Sequence, residues 1–178
     1  MIVVVDLDRT LIPFDSTIHA IKIVLISRPK KEIFISLTKG NEYFKNYLLK
    51  HVDWDTIDFP VNKAVLNYLI EMKKSGSLIY LVSGSSEQIV NAISRRIGVF
   101  DKSVGRNQDR PNMKFKSKLT YVNQMVGGSD WVYVADAYRD VVIWKKATLP
   151  ILVSRSRIKY FLISKFRIKN IGLLRLNS

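Results

Sequence analysis

The chain contains no cysteine and no long apolar run, and each absence excludes a class of protein. Without cysteine there is no disulfide framework, no thiolate zinc site and no cysteine nucleophile. No apolar run approaches the roughly 18 residues that a membrane-spanning helix requires, so we expect none. Met1 leads directly into an apolar segment and then into acidic residues, so we also expect no removable signal peptide. These features favour a cytoplasmic protein.

Acidic residues are scarce relative to basic ones, at 15 against 29, which gives a formal net charge of +14. From residue 155 to the end there are seven basic residues, no acids and interleaved apolar side chains. This segment fits either a basic amphipathic tail at an anionic membrane surface or a terminal helix or strand packed on the core. Nucleic acid is a less favoured partner, because the aromatic residues are scattered and no nucleic-acid-binding motif is present.

What the sequence does contain is a pair of aspartates directly after an apolar run. Asp6 and Asp8 follow residues 2–5, whose continuous β-branched side chains are typical of a strand covered on both faces of a parallel sheet. The carboxyl ends of such strands are where α/β folds keep their sites. The pair therefore indicates a cation-binding or catalytic site, with capping of a turn or helix as the simpler alternative.

Further polar residues stand at the ends of apolar runs or before helical patterns. In chain order they are Ser83 with Gly84, Lys114, and Asp136 with Asp140. The first group follows the apolar run 77–82 and the last follows 131–135, and each run predicts a buried strand. Two acid pairs, a hydroxyl group and a lysine together suit the binding of a phosphate and a metal ion.

The order of these residues resembles the four motifs of the haloacid dehalogenase superfamily of phosphohydrolases. The motifs correspond here to Asp6, Asp8 and Thr10, to Ser83, to Lys114, and to Asp136 with Asp140. A closer resemblance is to the hydrolase-like domain that precedes UbiA-type prenyltransferases in bacterial fusion proteins. The segments that carry this second resemblance are 59–66, 97–101, 112–114 and 136–144.

The resemblance implies a phosphomonoester hydrolase that depends on Mg²⁺. Asp6 would be the nucleophile that forms an aspartyl-phosphate, and Asp8 would protonate the leaving oxygen and then activate water. Asp8 also argues for phosphorus chemistry, because the dehalogenases of the superfamily lack this second acid. The other implied roles are Mg²⁺ binding by Asp6, Asp136 and the carbonyl of Asp8, phosphate binding by Ser83, Gly84 and Lys114, and support by Thr10 and Asp140.

Three positions depart from the pattern of the superfamily. Arg9, Phe115 and Ala135 stand where glycine is common. Glycine permits positive φ angles and close backbone approach, which these residues resist. We interpret the three changes as altered access or substrate choice, with a degenerate, inactive domain as the alternative.

The predicted fold class is α/β, a doubly wound (Rossmann-like), mostly parallel sheet with a small helical cap inserted after the first strand. The predicted parts are a hydrolase core of residues 1–13 and 60–154, a cap of residues 14–59 and a basic amphipathic tail of residues 155–178. In the cap, Asp15 and Ser16 predict the start of a helix that ends by Pro29. A second helix is predicted from Lys30 through Leu49.

The apolar residues of the cap leave the substrate class open. They form either the core between the cap helices or a groove for a lipid-linked phosphate. The expected substrate is therefore a lipid-linked or sugar phosphate, and the expected setting is cytoplasmic or peripheral at an anionic membrane. The alternative is a non-catalytic accessory domain that binds a membrane prenyltransferase or its lipid product.

Overall fold

A computed structural model describes residues 1–110, 113, 115–166, 168 and 170–176. The strands are β1 (Ile2–Val5), β2 (Leu78–Ser86), β3 (Lys102–Arg106), β4 (Trp131–Ala135), β5 (Leu149–Ser154) and β6 (Gly172–Arg175). The helices are α1 (Ser16–Ser27), α2 (Lys30–Thr38), α3 (Asn41–His51), α4 (Lys63–Lys74), α5 (Glu87–Ile97), α6 (Phe115–Val126), α7 (Val141–Trp144) and α8 (Arg157–Ser164). A turn of 3-10 helix, Tyr138–Asp140, precedes α7. Within the ranges described, no helix has the length and apolar character needed to cross a membrane.

The six described strands form one parallel sheet in the order β3-β2-β1-β4-β5-β6. Strand β1 lies inside the sheet, and the chain continues to β2 on one side of it and later to β4 on the other. Every residue of β1 and β4 is buried, because helices cover both faces of the sheet. The predicted doubly wound α/β fold is confirmed. Its switch point at β1 is where such folds bind ligands.

Alternate side chains of β1 enter two separate cores, because successive residues of a strand point to opposite faces. Val3 and Val5 pack in the core that also contains buried residues of α4, α5 and the cap helices. Ile2 and Val4 pack in the core that contains residues of α6, α7 and α8. The continuous apolar run at the start of the chain thus supplies both layers and holds β1 rigidly.

The cap contains three helices rather than the two predicted. The predicted start of α1 is confirmed, since the Asp15 side chain accepts hydrogen bonds from the backbone N–H groups of Thr17 and Ile18, each at 3.1 Å. The prediction of one helix from Lys30 through Leu49 is wrong, because α2 ends and α3 begins around Gly40. This residue has φ 101°, which glycine adopts without the steric penalty of a side chain.

The segment after residue 154 extends the sheet. Strand β6 pairs in parallel with β5, from Ile151 opposite Gly172 to Ser154 opposite Arg175. The Ser156 side chain accepts a hydrogen bond from the N–H of Lys159 and so caps α8. The described part of this segment thus forms a terminal helix and a strand that pairs with the sheet.

Candidate active site

The register of the sheet brings the predicted polar residues to one edge. Val5 pairs with Leu81 on one side and with Val134 on the other, so the residues after these three positions emerge together. The N–H of Asp6 still donates to the carbonyl of Val134, at 3.0 Å, which fixes the start of the Asp6 loop against β4. A cavity of about 310 Å³ opens at this edge. Its walls include Asp6, Asp8, Ser83, Gly84, Lys118 and Asp140.

Asp6 forms an ion pair with a buried lysine from α6. The Nζ of Lys118 donates to Oδ1 of Asp6 at 2.6 Å, and only 4 % of Lys118 is exposed. Burial alone lowers the pKa of Lys118, but the negative charges of Asp6 and Asp140 outweigh it and leave the pKa raised. Lys118 therefore stays positively charged at neutral pH, next to the carboxylate at the end of β1.

Asp8 has neutral hydrogen-bond donors instead of a cation. Its Oδ1 accepts from the N–H of Ser16 at 2.7 Å, and its Oδ2 accepts from the hydroxyl of Ser85 at 2.5 Å. Burial raises the pKa of Asp8, the charge of Asp6 adds to the rise, and the hydrogen bond from Ser85 opposes it. Two carboxylates two residues apart thus have different partners: Asp6 contacts a lysine, whereas Asp8 accepts from an N–H group and a hydroxyl group.

A bulge in β2 carries Ser83 and Gly84 to the cavity. Val82 pairs with Val104 and Ser86 with Arg106, so four steps along β2 match two along β3. The extra residues of a bulge leave the ladder and redirect their side chains. The Oγ of Ser83 accepts from the N–H of Ser85 at 3.1 Å within this bulge.

The bulge depends on a glycine in the neighbouring strand. A Cβ atom on Gly105 would lie 2.5 Å from the Cα of Glu87 and 2.9 Å from the carbonyl oxygen of Ser85. Both atoms belong to the backbone and cannot move aside like a side chain. The close approach of β3 to the end of β2 therefore requires glycine at position 105.

Asp136 and Asp140 add two acids on the β4 side of the cavity. Oδ2 of Asp136 lies 3.4 Å from Nζ of Lys159, which comes from α8. Burial raises the pKa of Asp136, although the charge of Lys159 opposes the rise. Oδ1 of Asp140 accepts from the hydroxyl of Tyr133 at 2.9 Å and lies 4.0 Å from Nζ of Lys118. Burial raises the pKa of Asp140 to about 6, with Lys118 opposing the rise.

The donor set of this edge fits a hard cation. Four aspartates, Asp6, Asp8, Asp136 and Asp140, lie among two lysines, and the charge of Asp6 raises the pKa of each of the other three. Oδ2 of Asp140 is buried and has no hydrogen-bond partner within the described residues. The same ranges contain no group of three or more His, Asp or Glu side chains arranged for a metal ion. Backbone and water oxygens would therefore complete the coordination, as Mg²⁺ sites in proteins permit.

The remaining predicted residues have less direct positions. Asp136 lies beside the cavity without lining it. Thr10 is buried, its carbonyl accepts from Nδ2 of Asn62 at 3.0 Å, and its hydroxyl has no partner in the described part of the chain. Lys114 lies outside the described residues.

Sequence reasoning missed the lysine that contacts Asp6. Lys118, Val122 and Val126 are the buried residues of α6, at spacings of four along the helix. Side chains at this spacing share one helix face, so Lys118 continues the apolar face of α6. That periodicity was the available signal.

Two of the three departures from glycine occupy the left-handed region of the backbone. Arg9 has φ 60° and Phe115 has φ 47°. A residue with a Cβ atom adopts such angles at a cost of about 1 kcal/mol. Ala135 is fully buried in β4 instead. Backbone strain at Arg9, inside the loop after β1, thus accompanies the site.

Comparisons with known proteins show where this architecture has been seen. No protein-family model matches the sequence, and neither does any curated protein. A phospho-aspartyl intermediate analogue of phosphoserine phosphatase is 19% identical, with a TM-score of 0.63 over 99% of this chain and 94% of that one. A phosphoserine phosphohydrolase-like protein from Francisella tularensis subsp. tularensis SCHU S4 is 15% identical, with a TM-score of 0.64 over 96% and 94%. The chain shares their fold.

A third solved structure has the same extent of similarity. It is a predicted phosphoglycolate phosphatase from Haemophilus somnus 129PT, 14% identical, with a TM-score of 0.62 over 96% of this chain and 92% of that one. At these identities the likeness establishes the fold alone. The chain spans nearly the whole length of each of the three structures, so the similarity includes the cap as well as the sheet.

Proposed function

We propose that the chain is a phosphomonoester hydrolase of the haloacid dehalogenase type, which works through an aspartyl-phosphate on Asp6. The observation that carries the proposal is the meeting of Asp6, Asp8 and Lys118 at the carboxyl end of β1. The solved phosphatases that share the fold support it, since one of them is described as a phospho-aspartyl intermediate analogue.

Asp6 is the proposed nucleophile because its contacts hold its carboxylate in place at the carboxyl end of β1. Lys118 balances the negative charge at Oδ1, and the hydrogen bond to Val134 holds the backbone. Covalent attack by a carboxylate divides hydrolysis of the ester into two easier steps. In each step, Lys118 would also stabilise the negative charge that builds on the phosphoryl oxygens, in a cavity that Ser83 and Gly84 line as well.

Asp8 is the proposed acid and base. Its raised pKa favours a protonated carboxyl group when the substrate arrives, so the group can donate a proton to the leaving oxygen. The carboxylate that remains can then accept a proton from the water that attacks the aspartyl-phosphate. The hydrogen bonds from Ser16 and Ser85 fix the orientation of Asp8 in both steps.

The proposed cofactor is Mg²⁺, which when bound would neutralise part of the charge on a phosphate dianion. The carboxylates of Asp6 and Asp136 and the carbonyl of Asp8 would hold it. Asp140 would orient a water molecule through Oδ2 or the ammonium group of Lys118 through Oδ1. We propose that Lys118 has the role that the sequence pattern assigned to Lys114.

The proposed substrate is a small-molecule phosphate whose leaving group has an apolar part. On the cap side, Leu48, Leu49 and Trp54 line the cavity together with Lys45. Residues 14–59 would thus select the substrate as a cap, with a lipid-linked phosphate favoured by this wall and a sugar phosphate as the alternative. The excess of basic residues is consistent with a cytoplasmic protein that contacts either an anionic membrane or a membrane prenyltransferase.

The proposal is tested by a screen of phosphate monoesters with Mg²⁺ and with a chelator. The wild type should turn over at least one ester in a Mg²⁺-dependent manner, and Asp6→Asn should lose about 10⁴-fold or more in kcat. Asp130→Asn is the matched control, since Asp130 precedes β4 at the opposite end of the sheet. Undiminished turnover by Asp6→Asn would refute the assigned nucleophile. An accessory domain would show no turnover in any arm.

A further inference from the structure

The corner between α1 and α2 exposes large apolar side chains that the protein core does not use. Every residue from 25 to 32 is exposed. Ile26 is 89 % exposed and Phe34 is 67 % exposed, while Val24 and Ile33 of the same two helices are buried. The exposed apolar residues of this surface, which we name the cap corner, are Ile18, Leu25, Ile26, Phe34 and Leu37.

Basic residues are interleaved with these apolar side chains. From residue 16 to residue 39 the chain has five basic residues, Lys22, Arg28, Lys30, Lys31 and Lys39, and one acid, Glu32. Glu32 accepts a hydrogen bond from the hydroxyl of Tyr47, at 3.3 Å, and so faces α3. On α1, Lys22 follows Ile18 by four residues and precedes Ile26 by four, so all three share one face.

We infer that the cap corner is a docking surface for an anionic lipid membrane. An interfacial helix places apolar side chains among the acyl chains while neighbouring Lys and Arg side chains contact anionic headgroups. The cap corner offers both groups on the exposed parts of two consecutive helices. Membrane docking therefore uses its charge and its apolar area together.

Each other partner that could cover this surface would match either its apolar area or its positive charge, but not both. A second copy of the cap corner would bury apolar area but would bring basic residues against basic residues. A nucleic acid would neutralise the charge, but the aliphatic side chains of Leu25 and Ile26 offer no face on which a base can stack. The combination of positive charge and aliphatic exposure thus favours lipid.

The position of α1 relates the cap corner to the cavity. Thr17 and Ala20 of α1 line the cavity, while Ile18, Lys22 and Ile26 of the same helix belong to the exposed corner. Docking would therefore hold one wall of the cavity close to the membrane, where an amphipathic phosphate ester partitions. This consequence for the substrate rests on the proposed function, whereas the docking itself does not.

Vesicle flotation tests the inference on the full chain. Vesicles of equimolar phosphatidylglycerol and phosphatidylcholine should bind the protein at least about tenfold more tightly than vesicles of phosphatidylcholine alone. The double variant Ile26→Ser with Phe34→Ser should lose about tenfold or more in affinity for the anionic vesicles. The double variant Lys30→Gln with Lys31→Gln should weaken binding several-fold and reduce its dependence on salt.

A matched control removes two other exposed apolar side chains. Ile158 and Phe161 of α8 are 71 % and 59 % exposed, and they too lie among basic residues. If docking occurs at the cap corner and not at α8, Ile158→Ser with Phe161→Ser should change vesicle affinity by less than about twofold. Because all four substituted apolar residues are exposed, both double variants should keep the wild-type circular dichroism spectrum and melting temperature.

Three results would overturn the inference. They are unchanged vesicle binding by the Ile26 and Phe34 variant, loss of binding by the α8 variant alone, and tighter binding to a short DNA duplex than to anionic vesicles. Turnover of a soluble ester, measured on the same proteins, is expected to be unchanged in every variant. Vesicle binding and hydrolysis can therefore fail independently, and the docking inference is distinguishable from the proposed function.

Discussion

The two ends of the parallel sheet use aspartate in opposite ways. At the amino end, Asp101 accepts from the N–H of Ile79 at 2.7 Å and from Nζ of Lys73 at 3.1 Å. The backbone hydrogen bond, more than the lysine, lowers the pKa of Asp101. At the carboxyl end, burial raises the pKa of Asp8 and of Asp140.

The direction of each pKa shift shows which aspartates stabilise the fold. A lowered pKa means that the folded state favours the ionised carboxylate, so Asp101 contributes stability at neutral pH. A raised pKa means that the folded state disfavours the charge, so Asp140 reduces stability at neutral pH. Carboxyl groups with perturbed pKa values often lie at functional sites, and in this sheet Asp8 and Asp140 both lie at the carboxyl end.

Among the variants that test this comparison, the largest effect should come from Lys118, whose charge lies beside the aspartates at the carboxyl end of the sheet. Lys118→Met should lower kcat by about 10³-fold, because it removes the charge beside Asp6 where the phosphoryl oxygens would lie. Lys114→Met is the control, and it should change kcat by less than about threefold if Lys118 has the assigned role. Steady-state kinetics on both variants decide between the two lysines. The reverse ranking would return the role to Lys114.

The next largest effect should be on the free energy of unfolding, and it should differ between two glycines at opposite ends of the sheet. Gly105→Ala should lower the free energy of unfolding by about 2 to 3 kcal/mol, since its Cβ would collide with the backbone of Glu87. Gly172→Ala, at the start of β6, should cost less than about 0.5 kcal/mol, because the nearest atom to its Cβ lies at 3.7 Å. Urea denaturation measures both. Equal losses would show that the bulge does not depend on Gly105.

A smaller effect of opposite sign is expected from Asp140. Its pKa of about 6 lies above the ordinary value of 3.8, so the folded state loses stability as pH rises between these values. Asp140→Asn should therefore increase the free energy of unfolding at pH 7 by about 1 to 2 kcal/mol in chelator, and by much less near pH 4. Chemical denaturation across this range measures the difference. A destabilised variant at pH 7 would contradict the cost assigned to the charge.

The smallest effect on the free energy of unfolding should come from Asp101, at the amino end of the sheet. Asp101→Asn should lower the free energy of unfolding at pH 7 by about 1 kcal/mol, because it weakens the hydrogen bonds to Ile79 and Lys73. The pKa of Asp101 is below 3.8, so this loss should persist at higher pH and shrink as pH falls below that value. Asp58→Asn is the control, since the Asp58 side chain is 98% exposed. A loss that does not change at low pH would assign the effect to packing.

The sequence predicted the parts of the fold that depend on local pattern. The apolar runs at 2–5 and 131–135 are the buried strands β1 and β4, and Asp15 caps α1 as expected. The break at Gly40 was also visible, because glycine is the least favourable residue of a helix interior after proline. The apolar residues on either side of Gly40 nevertheless favoured a single helix.

Contacts between distant segments could not be predicted in the same way. The bulge of β2 and the need for Gly105 arise only when β3 lies beside it. Lys159 contacts Asp136 because α8 packs beside β5, which no spacing in the sequence indicates. Lys118 is the intermediate case, since helical periodicity places it inside but does not identify Asp6 as its partner.

Trapping of the phosphorylated enzyme tests most directly whether the carboxyl end of β1 is the reactive centre. A turned-over ester labelled with ³²P is mixed with the enzyme and Mg²⁺, the reaction is quenched in acid, and the labelled peptide is mapped by mass spectrometry. We predict a phosphoryl group on Asp6 in the wild type, more of it in Asp8→Asn if hydrolysis of the intermediate slows, and none in Asp6→Asn. Turnover without a trapped phosphoryl group, or a label on any residue other than Asp6, would contradict the assignment.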